Sequence, residues 1–373
     1  MPHGFRLTSC QPGHLQGMRV GLVLGGGGLV GASWLIGALE ALASESGWSP
    51  SDAELIVGTS AGSVIGAMAA QGIPPAYMAA YSGGKALDGM AEGEERGDAV
   101  TDKLAGLLGS AADIAARATG AEFRLHRGLP PIGPGSWRMA VGTLLHPTRH
   151  APTALLGGWL PRGFISTRSI SELVETFVGD WPDHPGFRPV ATDYRSGKRV
   201  VFGEPGAPEA TAGQAVAASC AIPAFYHPVK IGSRPYVDGG ICSPSNLDLV
   251  REEEFDLVVC LNPTSSLASV PVRTPADAMG ALMRREAGRR LGHEAHKVRE
   301  SGTEVVLLQP TKRDLAAMGP NLMSRARRVA VAETAVRTTA VELRRLRGQG
   351  VLLPGRKPRA RPARKPAAVK RAA

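Results

Sequence analysis

The hydrophobic and polar positions near the start of the chain alternate between short apolar runs and longer segments with helical spacing. Residues 18–24 and 54–58 are β-branched apolar runs that predict buried strands. Residues 31–46 carry apolar side chains at helical spacing, and 61–72 is a run of small residues that predicts a second helix. Two strand–turn–helix units joined by short loops predict a parallel sheet.

The pattern continues along the rest of the chain. Residues 188–203 predict two strands joined by a turn, and 256–262 and 303–310 predict two further buried strands. A capped helix is predicted at 166–177, and a long Arg/Ala-rich helix at 322–347. We therefore expect an α/β fold with a central, mostly parallel sheet flanked by helices.

The composition of residues 85–165 differs from that of the alternating strand and helix segments. They contain an amphipathic helical segment at 92–120 and a Pro/Gly-rich segment at 128–163, which includes Trp137 and Trp159. We interpret this stretch as an inserted cap or lid over the sheet. The catalytic domain would then span residues 18–349.

The positive charge is concentrated at the end of the chain. The 43 Lys and Arg residues outnumber the 33 Asp and Glu residues, for a net charge of +10. Eight of the basic residues and no acid lie in 351–373, so the remainder holds 35 bases against 33 acids. A nearly neutral body argues against a folded nucleic-acid binder. The Pro/Arg/Lys tail, 350–373, is predicted to be disordered, either a solvated terminus or a tether to anionic membrane.

Several features bear on the cellular compartment. Residues 1–17 lack the apolar run of a signal peptide and are predicted to be a disordered leader. The 20 uncharged residues between Arg19 and Glu40 reach the length of a membrane span, but four consecutive glycines would break that helix. The four cysteines are Cys10, Cys220, Cys242 and Cys260. They form no C-x-x-C pair and do not have the spacing of metal ligands, which favours a reduced, cytoplasmic protein with no metal or organic cofactor.

The most specific chemical motif is Gly58-Thr59-Ser60-Ala61-Gly62, a G-x-S-x-G sequence between a predicted strand and a predicted helix. A nucleophile elbow needs this context, because the chain turns sharply while it exposes the Ser60 hydroxyl. Gly58 and Gly62 flank the turn, where a Cβ would clash. The helix that follows directs free N–H groups towards a developing negative charge.

A glycine run, Gly25 to Gly28, follows the first strand, and Gly31 extends it. Gly26, Gly28 and Gly31 fit the G-x-G-x-x-G of dinucleotide sites, but the next strand does not end in the acid that would bind ribose. The ends of adjacent parallel strands lie side by side, so the amides of Gly27 and Gly28 are expected to form an oxyanion hole near Ser60.

A serine nucleophile needs a base, and two arrangements are open. Asp238-Gly239-Gly240 presents a carboxylate at a sharp turn, so Asp238 could accept the Ser60 proton directly. In the order of an α/β-hydrolase, Asp238 would instead orient His293 or His296.

Taken in this order, G-G-G-x-x-x-G, G-T-S-A-G and D-G-G resemble the motifs of the patatin-like phospholipases, a family of serine lipid acyl hydrolases. The resemblance covers most of residues 18–320, including ATDYRSGKRVVFG and AASCAIPAFYHPV. It implies a three-layer α/β/α fold, Ser60 as nucleophile, Asp238 as its proton acceptor and no catalytic histidine. It also implies an oxyanion hole formed by Gly26, Gly27, Gly28 and Ala61.

The chain departs from the family pattern at Val30, where Arg or Lys usually follows the glycine run. The backbone donors do not depend on that side chain. By resemblance the substrate is a lipid or another acyl ester, and a non-catalytic scaffold with the same fold is the alternative.

Overall fold

The computed structural model describes residues 18–83, 135–145, 158–163, 165–268 and 275–351. The predicted leader, the helix at 92–120 and the basic tail from residue 352 lie outside these residues. Most of the predicted cap also lies outside them.

Within the described residues, eight strands form one sheet. They are β1 (Val20–Leu24), β2 (Leu55–Thr59), β3 (Phe187–Asp193), β4 (Arg199–Val201), β5 (Val229–Ile231), β6 (Arg234–Asp238), β7 (Leu257–Leu261) and β8 (Glu304–Leu308).

The helices surround this sheet. They are α1 (Gly28–Ser46), α2 (Ala61–Ala70), α3 (Pro75–Gly83), α4 (Trp137–Leu145), α5 (Arg168–Val178), α6 (Ala212–Ser219), α7 (Pro275–Glu300), α8 (Lys312–Met318) and α9 (Arg328–Gly348). Three short 3₁₀ helices span Pro50–Asp52, Gly239–Ile241 and Leu247–Val250.

The strand order is β5-β6-β3-β2-β1-β7-β8, with β4 paired to β3. The strands from β3 to β8 in this order are parallel, whereas β4, β5 and β6 add antiparallel pairs at the other end. The sheet is therefore mixed and mostly parallel, which confirms the predicted fold class.

Alternate residues of β1 face two separate cores. Leu22 and Leu24 pack in the larger core with side chains of α1, α2 and α9. Val23 packs on the opposite face with Leu291 and Ala295 of α7. Because helices cover both faces, the central strands are apolar at nearly every position. Helix, sheet and helix thus form the three layers.

The uncharged stretch from Val20 to Leu39 is divided between a strand and a helix. β1 ends at Leu24, and α1 begins at Gly28 after the glycine turn. In the part of the chain that the structure describes, no helix combines the length and hydropathy of a membrane span.

Helices α1 and α9 pack closely at Gly37. A Cβ built on Gly37 would lie 2.9 Å from the Cβ of Ala335 and would also overlap the carbonyl of Ala332. The two backbones can approach this closely only because Gly37 has no side chain.

We predict that Gly37→Ala lowers the free energy of unfolding by about 1–3 kcal/mol, because the added methyl group overpacks the α1–α9 contact. Gly292→Ala is the matched control, since a Cβ there meets no atom within 4 Å. Alanine should stabilise that exposed helical position by up to about 1 kcal/mol. Urea denaturation of both variants measures the difference, and a Gly37→Ala protein as stable as the Gly292→Ala protein would contradict the packing.

Candidate active site

Strand β3 brings together the ends of two strands that are far apart in sequence. Thr59, the last residue of β2, lies opposite Val190, and Asp238, the last residue of β6, lies opposite Ala191. Ser60 follows Thr59 directly. Because Val190 and Ala191 are adjacent in β3, Ser60 and Asp238 meet at one place beside the sheet.

Ser60 has the backbone of a nucleophile elbow. Its φ of 52° and ψ of −123° are rare for a residue with a Cβ, and it is the residue immediately before α2. Such a conformation costs about 1–3 kcal/mol and persists only when its surroundings hold it. Gly58 and Gly62 allow the turn, because a Cβ on Gly58 would lie 2.5 Å from the Cα of Ser63 and one on Gly62 would overlap the carbonyl of Leu24.

Hydrogen bonds with two buried serines, one an acceptor and the other a donor, hold the Ser60 backbone in place. The Ser60 N–H donates to Ser219 Oγ at 2.9 Å, and Ser219 Oγ donates to the Val190 carbonyl at 2.6 Å. Ser63 Oγ donates to the Ser60 carbonyl at 2.7 Å. The role of Ser219 was not predicted from the sequence, since an isolated serine carries no local signal of a long-range hydrogen bond.

Asp238 is a buried carboxylate near the nucleophile. Ser60 and Asp238 are 6% and 5% exposed, and the Ser60 side chain is close enough to lower the pKa of Asp238. The Gly240 N–H donates to Asp238 Oδ1 at 2.7 Å. Burial raises the pKa of Asp238 to about 6, against the opposing effects of the Ser60 side chain and the Gly240 amide. The group is thus suited to accept a proton near neutral pH.

The loop 243–247 links the three motifs. The Pro244 carbonyl accepts the N–H of Gly26 at 2.9 Å. Asn246, which is fully buried and has a left-handed backbone, donates from Nδ2 to Thr59 Oγ1 at 3.0 Å. Along the chain, this loop directly follows the 3₁₀ turn that contains Gly239 and Gly240. It therefore joins the D-G-G motif to the glycine run and the nucleophile elbow.

A buried carboxylate on α7 holds this loop in turn. Glu294 accepts hydrogen bonds from Ser245 Oγ at 2.7 Å and from the Leu247 N–H at 3.1 Å. Its other oxygen accepts from Arg290 Nε at 3.2 Å. Neither Asn246 nor Glu294 was identified from the sequence, because their partners lie in distant segments.

The glycine run lies beside the nucleophile. A Cβ built on Gly26 would lie 3.3 Å from the Ser60 Cβ. The Gly26 N–H, however, is engaged with Pro244 and is therefore left out of the oxyanion donors that the resemblance implies. Among the described residues, no acceptor pairs with the amides of Gly27 and Gly28. Gly28 has a left-handed φ of 64°, and Pro263 packs against Gly27 and Gly31.

The two histidines considered for a triad lie away from this site. His293 and His296 are exposed on α7, and His296 pairs with Glu300 at 3.3 Å. Neither is among the groups that shift the pKa of the buried Asp238. The Ser–Asp–His alternative therefore has no structural support.

Val30 is fully buried in the larger core, and its amide donates to the Leu322 carbonyl at 3.1 Å. An apolar side chain suits this environment, where a cation would need a buried partner. No group of three or more His, Cys, Asp or Glu side chains within the described ranges is arranged to hold a metal ion.

Comparisons of sequence and structure identify proteins that are similar to this chain. The family model described as patatin-like phospholipase matches residues 22–251, a segment that includes the glycine run, Ser60 and Asp238. The crystal structure of VipD from Legionella pneumophila is similar with a TM-score of 0.38 and 14% identity, over 92% of this chain and 71% of VipD. No curated protein matches the chain. Since the family model covers more than half of its residues, the chain belongs to the patatin-like phospholipase family, a membership that supports lipid acyl hydrolysis as its general function.

Proposed function

We propose that the protein cleaves fatty-acyl ester bonds of lipids through a Ser60–Asp238 dyad. One observation carries this proposal: a serine held in the strained elbow conformation lies beside a buried carboxylate whose pKa is raised to about 6. A merely structural serine does not need this strained backbone. The substrate class follows from membership of the family.

The first half of the reaction forms an acyl-enzyme. Asp238 accepts the proton of the Ser60 hydroxyl while Oγ attacks the ester carbonyl carbon. The amides of Gly27, Gly28 and Ala61 donate to the oxyanion of the tetrahedral intermediate. This intermediate collapses when the alkoxide leaves with the proton from Asp238, and the acyl group stays on Ser60.

The second half releases the fatty acid. Asp238 accepts a proton from a water molecule, whose oxygen attacks the acyl carbonyl, and the same amides stabilise the second oxyanion. When this intermediate collapses, Ser60 Oγ recovers its proton from Asp238. No step needs a metal or an organic cofactor.

We predict that Ser60→Ala abolishes hydrolysis of p-nitrophenyl esters and labelling by a fluorophosphonate probe, because the attacking oxygen is lost. Asp238→Asn should lower kcat by at least about 10³-fold, since the amide cannot accept the proton. Ser44→Ala, an exposed serine on α1, is the matched control. The combined replacement of His293 and His296 should leave kcat unchanged, and a loss of activity there would favour the triad.

We predict an acid limb in the pH dependence of kcat/KM with an apparent pKa near 6, the value of Asp238. The base acts only when ionised, so kcat/KM should fall about tenfold per pH unit below this value and level off above it. Initial rates between pH 4 and 9 measure the profile. A plateau that extends down to pH 4 would contradict Asp238 as the base.

We predict that Asp238→Asn stabilises the fold at pH 8. The pKa of Asp238 rises from 3.8 to about 6 on folding, so ionisation of the buried carboxyl costs on the order of 3 kcal/mol. This cost grows as the pH rises from 3.8 to 6 and is constant above pH 6. The gain in unfolding free energy should therefore be complete at pH 8 and nearly absent at about pH 3. Asp183→Asn, at an exposed position, is the matched control.

A further inference from the structure

Among the described residues, no strand pairs with one of the two edges of β8. Strand β8 is the last strand in the sheet order, and β7 pairs with only one of its sides. On that side the Leu308 carbonyl accepts from the Asn262 N–H at 3.0 Å, and the Glu304 N–H donates to the Asp256 carbonyl at 3.3 Å. Because backbone groups alternate along a strand, those of Val305 and Leu307 point away from β7.

The outward-facing backbone groups of β8 are only partly satisfied. The Val305 carbonyl accepts from Arg299 Nη2 at 3.1 Å. No residue in the described part of the chain pairs with the N–H or C=O of Leu307, which is half-buried. An edge of this kind is a template for one more strand.

This edge opens into a cleft of about 1170 Å³ between α7 on one side and α8 and α9 on the other. Apolar side chains such as Leu315 and Leu346 form part of its wall. The lining also carries six arginines: Arg284, Arg285, Arg289, Arg299, Arg327 and Arg345.

Few acids balance these arginines. Glu342 lines the cleft and is bound by Arg345 at 2.6 Å, and Glu286 lies 3.6 Å from Arg289. Arg284 is half-buried, and among the described residues it forms neither a hydrogen bond nor an ion pair. Burial lowers the pKa of Arg284. An anionic group from outside would offset the cost of burying this cation.

The unpaired edge of β8 and the arginines together indicate which kind of ligand fits the cleft. An acyl chain in the cleft would bury the Leu307 backbone groups without hydrogen-bond partners, which is unfavourable. An extended peptide would pair them. Val351, at the start of the chain's own tail, lines the cleft, but the eight basic residues that follow it carry the same charge as the arginines and do not complement them.

We propose that the cleft beside β8 binds an acidic, extended segment of a partner protein, which adds a strand to the sheet at the free edge of β8. Backbone hydrogen bonds to Leu307 hold the segment, and its carboxylates face Arg284 and Arg285. The site is separate from Ser60, because β1 and β7 lie between β2 and β8 in the sheet. The proposal thus concerns a partner rather than the lipid substrate.

The test measures binding of a fluorescein-labelled octapeptide of alternating glutamate and valine to the full chain at low salt, by fluorescence polarisation. The wild-type protein should bind this peptide, and the affinity should fall as salt is added. Arg284→Ala with Arg285→Ala should reduce the affinity at least about tenfold. Arg313→Ala, which removes an exposed arginine of α8 outside the cleft, should leave the affinity unchanged.

Two further measurements separate strand addition from simple charge attraction. The same peptide with N-methyl groups on alternate residues keeps its charge but cannot pair with an edge, so it should bind at least about tenfold more weakly. Bound unmodified peptide should also slow hydrogen exchange of the Leu307 amide. Equal binding of the N-methylated peptide would overturn strand addition.

A charge-reversal variant distinguishes a specific loss of binding from one caused by misfolding. Arg284→Glu with Arg285→Glu should reject the glutamate peptide and bind an octapeptide of alternating lysine and valine. No binding of the glutamate peptide by the wild-type chain would overturn the proposal. A second control measures how the Arg284→Ala and Arg285→Ala variant binds anionic phosphatidylserine vesicles. If the variant binds these vesicles more weakly than the wild type but binds the peptide equally well, the cleft recognises a lipid surface and the proposal is overturned.

Discussion

The strained backbone of Ser60 is the constraint on which the rest of the site depends. A residue with a Cβ at a φ of 52° stays there only when its neighbours leave no alternative. Gly58 and Gly62 provide the space, and Ser219 ties the Ser60 amide to the Val190 carbonyl of β3. The packed sheet thus offsets the local cost of holding one hydroxyl group where the chain turns from strand to helix.

Burial of Asp238 adds a second cost, which the proposed chemistry uses. A carboxyl in water would be a weak base for a serine hydroxyl, whereas burial raises the pKa of Asp238 to about 6. The loop 243–247 lies beside this carboxylate, and Glu294 of α7 accepts hydrogen bonds from Ser245 and Leu247 of the loop. Helix α7 therefore supports the site from the face of the sheet opposite α1, and its own histidines remain in solvent.

The fold was predictable wherever the signal was local. The apolar run at 18–24 and the strand–turn–strand pattern at 188–203 correspond to β1 and to the β3–β4 pair. The helix predicted at 322–347 begins later, at Arg328, because the preceding residues instead pack over the glycine run, where the Leu322 carbonyl accepts the Val30 N–H. Contacts of this kind join distant segments, and hydrophobic periodicity carries no information about them.

The sequence by itself determined the candidate nucleophile and carboxylate, because a sharp turn requires glycine at fixed spacing around Ser60 and beside Asp238. It also favoured the parallel α/β layers, since their periodicity is local. Only the tertiary structure decided that Thr59 and Asp238 end opposite adjacent residues of β3, that Gly26 donates to Pro244, and that His293 and His296 stay in solvent. The reason is physical: strand register and the partners of buried polar groups are set by long-range packing, which pairs residues without regard to their separation along the chain.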